Sequence, residues 1–355
     1  MVAKPTAVDC SRLAILALLA GAAVALTASP AASRPAASRR AGTIAFMRLV
    51  PGPVFGGRLF TIRPDGSGLR PVTPRGTKVD SYAWSPDGRM IAYIDEQLSL
   101  WLVHPDGSGR RLLLPTSQLS SEALSWSPDG KQLAIVSPGS NANLRTTGCG
   151  SRLYVVPIDG GQPVSLPPTS VGCDVAWSPQ GDEIAYDHGG GIFVIGADGT
   201  GLRQIAWGGG PQWSADGAQL AFNVVIHTRS GFTDRYRAFG VVEADGKSFH
   251  VVTTHAYTEY GFAWSPSGRR ILYGRADRNG IYVIGADGRN NHMVTRDSPP
   301  QALWGALAWS PDGGSIVYAT DQTGNGDLYL IGADGRSKVQ LTNTPDTDID
   351  PTWAR

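Results

Sequence analysis

One short pattern recurs along the chain and limits what it can fold into. It is Trp-Ser-Pro-Asp-Gly, about two spacer residues, then a small apolar stretch. It reads Trp84-Ser85-Pro86-Asp87-Gly88 followed by Ile91-Ala92-Tyr93. It returns at Trp126, Trp177, Trp213, Trp264 and Trp309, with the turn varied to Pro179-Gln180-Gly181, Ala215-Asp216-Gly217 and Pro266-Ser267-Gly268. A seventh Trp, Trp353, stands near the C-terminus. Between successive Trp residues an apolar or aromatic stretch runs into Asp-Gly, at Asp65, Asp106, Asp159, Asp198, Asp245, Asp287 and Asp334.

The mean spacing from Trp84 to Trp353 is about 45 residues, enough for four short strands and their turns, the size of one propeller blade. Helical repeats have similar periods but different content. These units carry β-branched and aromatic runs of four to six residues, and the 45 Gly and 25 Pro would break helices throughout. In Ser-Pro-Asp-Gly, Pro presets φ at the first central position of a turn and Gly takes the position with φ > 0. Each unit therefore reads as a first strand ending at Trp, a turn, a second strand, a variable loop, a third strand, an Asp-Gly turn and a fourth strand. The chain begins on a second-strand pattern, Thr43-Ile44-Ala45-Phe46, and ends on a first-strand pattern, Thr352-Trp353-Ala354-Arg355. Pairing these ends would close a ring and remove a free sheet edge. The expectation is an all-β propeller of four-stranded blades over residues 43–355. Seven blades are expected, with six left open because the unit from Trp177 to Trp213 is the shortest.

The units resemble those of the TolB-type β-propeller family, a WD40-like repeat. The clearest copies are Trp309-Ser310-Pro311-Asp312-Gly313 and Leu328-Tyr329-Leu330-Ile331-Gly332-Ala333-Asp334-Gly335, with Leu341-Thr342 and Asp350-Pro351-Thr352-Trp353 after them. The resemblance implies the fold; its repeat serves scaffolds, binding modules and the propellers of enzymes alike.

Lys4 and Arg12 precede an apolar run from Leu13 to Leu26, followed by small residues, the order of a secretory signal. Residues 1–28 are expected to be that signal and 29–42 a flexible leader rich in Ala, Ser, Pro and Arg. The run is short for a membrane helix, and no later segment could span a bilayer, so the mature chain is expected outside the cytoplasm, secreted or in the envelope. A formal net charge of +1 supplies no bulk field for nucleic acid. Two cysteines follow the signal, Cys149 and Cys173; in an oxidising compartment a disulfide between them is the first expectation.

The first and third turns of each unit look alike and share one face, which reads as structural. The opposite face carries the irregular loops. Its insertion at 227–238 holds Arg229, Phe232, Arg235, Tyr236 and Arg237, a mixture suited to partner contact. Asp80, Glu122, Asp174, Glu259, Asp348 and Asp350 stand just before the Trp strands, where a ring brings them to the channel mouth. Converging carboxylates there would attract a basic peptide; Ca²⁺ stays open, although Asp346, Asp348 and Asp350 lack the Gly and distal Glu of an EF-hand. His188, His227 and His255 map to the same face and are weak metal or acid–base candidates. No Gly-x-Ser-x-Gly or His-Glu-x-x-His motif is present, and Gly240 to Gly246-Lys247-Ser248 is one residue too long for a phosphate-binding loop. No catalytic residue, cofactor or resident metal is assigned. The residues thus favour a module that binds or scaffolds an envelope or extracellular protein or peptide. The alternative is a lyase or hydrolase acting on an extracellular polysaccharide.

Overall fold

The Ser-Pro-Asp-Gly turns are held by their own side chains. In the computed structural model Ser85 Oγ donates to Asp87 Oδ1 at 2.7 Å, which also accepts from the Arg89 N–H, while the Met90 N–H donates back to Ser85 Oγ. The same serine–aspartate bond, at 2.6 Å, closes the turns at Ser127, Ser214 and Ser310. Where Gln180 replaces the aspartate, Ser178 Oγ bonds Asp182 instead, at 3.0 Å. These serine bonds hold the carboxyls of Asp87, Asp129 and Asp216 below their ordinary value. The second turn is equally regular: in all seven copies the aspartate Oδ1 accepts from the N–H two residues on, at 2.9–3.1 Å.

The structure describes residues 42–49, 56–115, 123–137, 152–167, 172, 174–227, 235–253, 261–275, 280–297, 307–322 and 324–354, with backbone alone at 137, 225–227 and 235–237. Among them every regular element is a strand. The 28 strands fall into seven antiparallel sets of four; five are separate sheets, and two are joined in an eight-stranded sheet by the single pair Gly57–Val79. The first strands of the sets are Val79–Trp84, Leu124–Trp126, Val175–Trp177, Gly209–Trp213, Phe262–Trp264, Leu307–Trp309 and Asp348–Trp353, so each ends on a repeated Trp.

The last of these does not begin a new sheet. Asp348–Trp353 pairs with Ile44–Leu49, placing Ile44 opposite Trp353 and Arg48 opposite Asp348. The Ala354 N–H also reaches the Thr43 carbonyl at 2.9 Å. The C-terminal strand thus completes the sheet begun by the first described strand, as the split unit in the sequence implies.

Packing between sets makes the ring. Seven buried clusters, among the described residues, each join two consecutive sets. One joins the last set to the first: Val317, Ala319, Leu328 and Leu330 pack on Ile44, Phe46, Phe60 and Trp353. Burying side chains of this size contributes roughly 1.5–3 kcal/mol each, so the interfaces, not the small sheets, hold the fold. The repeated Trp residues belong to these interfaces. The indole N–H groups of Trp126, Trp213, Trp264 and Trp309 donate to the carbonyls of Ala83, Ala176, Gln212 and Ala263, each on the first strand of the preceding set.

Candidate functional site

The starts of the first strands and the ends of the second strands share one face, because the two run antiparallel. Four of the six acidic residues proposed for the channel mouth are described: Asp80, Asp174, Asp348 and Asp350. Glu122 and Glu259 lie outside the described residues, as do Arg229, Phe232, His255, Cys149 and Cys173. Arg235, Tyr236, Arg237 and His227 lie on a two-strand extension, Gln219–His227 with Arg235–Glu243, described there by backbone alone.

Asp348 and Asp350 behave differently although they are two residues apart. Asp348 is fully buried and takes the Arg48 guanidinium through two bonds, Nε to Oδ1 at 2.7 Å and Nη2 to Oδ2 at 2.9 Å. Burial pushes the Asp348 carboxyl up and the Arg48 bond opposes it; the same bond raises Arg48. The Arg48 guanidinium also sits 4.8 Å from the Phe60 ring centre. Asp348 is therefore a fastening between the closing strand and its partner, not a group presented to a ligand. Breaking such a buried pair on one side costs roughly 3–5 kcal/mol.

Asp350 sits at an irregularity. The register shifts between Ala45 and Met47, and Asp350 adopts φ +50°, a left-handed conformation uncommon outside glycine. Its backbone carbonyl faces the Tyr82 hydroxyl, which also lies 3.0 Å from the Ala45 carbonyl oxygen and accepts from Thr352 Oγ1 at 3.1 Å. Its carboxyl accepts no hydrogen bond among the described residues, and desolvation pushes it up to about 7. The buried Tyr82 hydroxyl is raised well above its ordinary value by the same desolvation, with the Asp350 charge adding to it.

Asp80 is partly buried beside Gly56, and Asp174 is exposed at the start of its strand. A residue the sequence reading passed over, Asp187, joins Asp174: its Oδ1 accepts from the Asp174 N–H at 3.0 Å. His188 follows Asp187 at the end of Glu183–His188, with its ring 6.2 Å from Phe193. Among the described residues no group of three or more His, Cys, Asp or Glu could hold a metal ion. The tight passage Trp207-Gly208-Gly209-Gly210 runs past Asp174 and Asp187. Its signal in the sequence was the shortness of its unit.

The turn face is less uniform than its repeats suggest. A groove of about 900 Å³ opens there between the set that starts at Gly209 and the set that starts at Phe262, lined by residues that include Glu243, Asp245, His250, Arg269, Asp287 and His292. His250 packs across the junction, its Nε2 2.8 Å from the Ala286 carbonyl oxygen and its Nδ1 3.3 Å from that of Ser248. Thr61 and Arg203 use the same device, donating to the carbonyls of Pro105 and Ala244 in the following sets. Much of that face is thus committed to joining neighbours.

A ring of four-stranded antiparallel sets, each packed on the next, defines a β-propeller. The chain belongs to the TolB β-propeller family: the model of the TolB beta propeller domain matches residues 57–306. It is 28% identical over 113 residues to the Tol-Pal system protein TolB of Anaeromyxobacter dehalogenans, covering 31% of this chain but 25% of that protein. The chain thus spans about a quarter of that relative's length. Among solved structures it resembles TolB from Acinetobacter baumannii, with TM-score 0.55 at 19% identity over 89% of this chain and 67% of that one. It also resembles an oligogalacturonate lyase in complex with manganese, with TM-score 0.64 at 16% identity over 81% of this chain and 90% of that one. At these identities the structural likenesses establish the fold alone.

Proposed function

We propose that this chain is an exported propeller of seven blades that binds a protein or peptide on its loop face, at the acidic mouth of the channel. The observation that carries this reading is Asp350. Its left-handed backbone is held through the carbonyl by the Tyr82 hydroxyl, while its carboxyl is raised by desolvation and accepts no hydrogen bond among the described residues. Strained backbone and perturbed carboxyls cluster at functional sites. Asp80 and Asp174 belong to the same loop-face mouth; Asp348, engaged by Arg48, does not. In this reading residues 1–28 are the export signal, 29–42 the leader, and Cys149 pairs with Cys173 in the oxidising compartment that export leads to.

The test is capture from extracytoplasmic extract on immobilised full-length chain, beside a variant with Asp80, Asp174 and Asp350 changed to Asn and its fold checked by circular dichroism. A specific partner retained by the parent and lost by the variant is expected. Equal capture by both would overturn the placement at the mouth. Cleavage of an acidic polysaccharide by the purified parent would overturn the binding role in favour of the enzymatic one.

A further inference from the structure

Trp207 is the most exposed large hydrophobic residue described, at 71%. A lone exposed apolar side chain is ordinary on a protein surface. This one stands in a row. In the set that starts at Val175, Gly191 of the third strand lies opposite both His188 of the second and Trp207 of the fourth. Residues directly opposite on antiparallel strands project to the same face. Strands lie about 4.8 Å apart, so His188 and Trp207 stand roughly 10 Å apart on that face, with a glycine between them. A Cβ on Gly191 would fall 2.6 Å from Gln204 Nε2 and 3.1 Å from the Phe193 ring. The Gln204 amide therefore lies over the middle of the row, where only a glycine admits it. The Phe193 ring, 6.2 Å from that of His188, flanks it. The turn beside the row is bare as well: Gly189 and Gly190 adopt φ +59° and +82°, and a Cβ on either would meet nothing within 4 Å.

The row is aromatic and polar but holds no carboxylate, lysine or arginine. Asp187, one residue before His188, alternates to the other face, where it meets Gly209. Gln204 is exposed; its Nε2 makes one long bond, 3.4 Å, to the Ala206 carbonyl oxygen, and its Oε1 accepts nothing among the described residues. The backbone of this edge strand offers less. Ile205 has no partner where the register shifts between Ile192 and Phe193, and a bulge of this kind twists an edge away from pairing with a further strand. What the edge presents is side chains: an indole, an amide and an imidazole. An amide and an imidazole each donate and accept hydrogen bonds, as sugar hydroxyls do. The C–H face of a pyranose ring is partly positive and stacks on the negative face of an indole. An uncharged sugar unit can use all three groups, whereas a charged one would find no counter-ion in the row.

We propose that His188, Gln204 and Trp207, aligned over Gly191, form a binding strip for an uncharged sugar unit of a glycan. The strip lies on the second to fourth strands of one set, apart from the channel mouth, and does not rest on the peptide-binding reading above. The experiment is calorimetric titration of the full chain with three neutral oligosaccharides, cellohexaose, maltohexaose and chitohexaose. Binding of at least one is expected, with affinity at least tenfold lower in Trp207→Ala and in Gln204→Leu and largely kept in Trp207→Phe. Both side chains are exposed, so the variants should melt with the parent, which separates lost binding from lost folding. The variant with Asp80, Asp174 and Asp350 changed to Asn should bind the sugar as the parent does, whatever becomes of its captured partner. Failure of all three oligosaccharides to bind the parent, or equal affinity in Trp207→Ala, would overturn the inference. Tighter binding of hexagalacturonate than of any neutral oligomer would overturn the uncharged assignment. Binding of acetyl-hexaproline-amide in place of the sugars, lost in Trp207→Ala, would give the strip to a proline-rich peptide instead.

Discussion

Giving Tyr186 a hydrogen-bond partner is expected to stabilise the ring. Four sets place a buried tyrosine on the second strand, packed against an aromatic of the third: Tyr93 on Trp101, Tyr186 on Phe193, Tyr273 on Tyr282 and Tyr318 on Tyr329, with ring centres 5.7–6.5 Å apart. Three of the hydroxyls have partners: Arg110 Nε donates to Tyr93 at 2.6 Å, Tyr273 donates to Asn291 at 3.0 Å, and Tyr318 donates to Asp297. Tyr186 has none, and burial pushes its hydroxyl up to about 12. Arg110 and Asn291 each stand just before the fourth strand of their set; the residue there in the Tyr186 set is Leu202, 45% exposed. In the set that starts at Gly209 the position holds Phe249 and the second-strand ring is Phe222, which has no hydroxyl, and the two stack at 5.8 Å. Leu202→Asn should supply the missing acceptor. An unsatisfied buried hydroxyl costs roughly 1–3 kcal/mol, and little apolar burial is lost at an exposed leucine, so the expected gain is about 1 kcal/mol. For a chain of this size that raises the melting temperature by about 2 °C, and urea unfolding reads the free energy directly. The control is a double-mutant cycle with Tyr186→Phe, in which the benefit of Leu202→Asn should vanish. An equal gain in the Phe background, or a loss in the parent, would refute the assignment of the cost to this hydroxyl.

Two further outcomes follow from the closing strand. Asp350 has its carboxyl raised from 3.8 to about 7, so the folded chain binds an extra proton between those values and its stability falls as pH rises through that window. Discounted for the residue's partial exposure, the effect is about 2 kcal/mol, and Asp350→Asn should flatten the urea-unfolding profile between pH 4.5 and 7.5. Parallel profiles for the two proteins would show that Asp350 is not the group responsible. Deleting residues 351–355 removes buried Trp353 from the cluster with Ile44, Phe46 and Phe60 and leaves the Ile44 strand with an open edge. Loss of a buried Trp alone costs roughly 3–5 kcal/mol, so the truncated chain should melt far below the parent in a calorimetric scan; an unchanged melting temperature would mean the ring does not close this way.

The strands and turns were legible because the repeat states them many times over. Serine, aspartate and glycine recur at fixed offsets and make the same bonds at Ser85, Ser127, Ser214 and Ser310. The closing strand was legible too, since Trp353 repeats the Trp that ends each of the other first strands. The site was not, and Asp348 and Asp350 show why. Strict alternation would turn both carboxyls to the same side, and both read as mouth residues. The partner that removes Asp348 is Arg48, 300 residues away in sequence, and the irregularity that sets Asp350 apart is a register break visible only once the strands are paired. Local pattern carries neither fact. A repeat protein does offer a substitute, because each unit is a control for the others. The unpartnered Tyr186 hydroxyl beside Leu202 and the Gly208–Gly210 run in the shortest unit are departures from the other units. The positive φ of Asp350 is not one, because Gly210 and Gly261 adopt it at the same place, three residues before Trp213 and Trp264. What is particular to Asp350 is that a residue with a side chain, whose carboxyl accepts no hydrogen bond among the described residues, occupies a position that glycine fills in those two units.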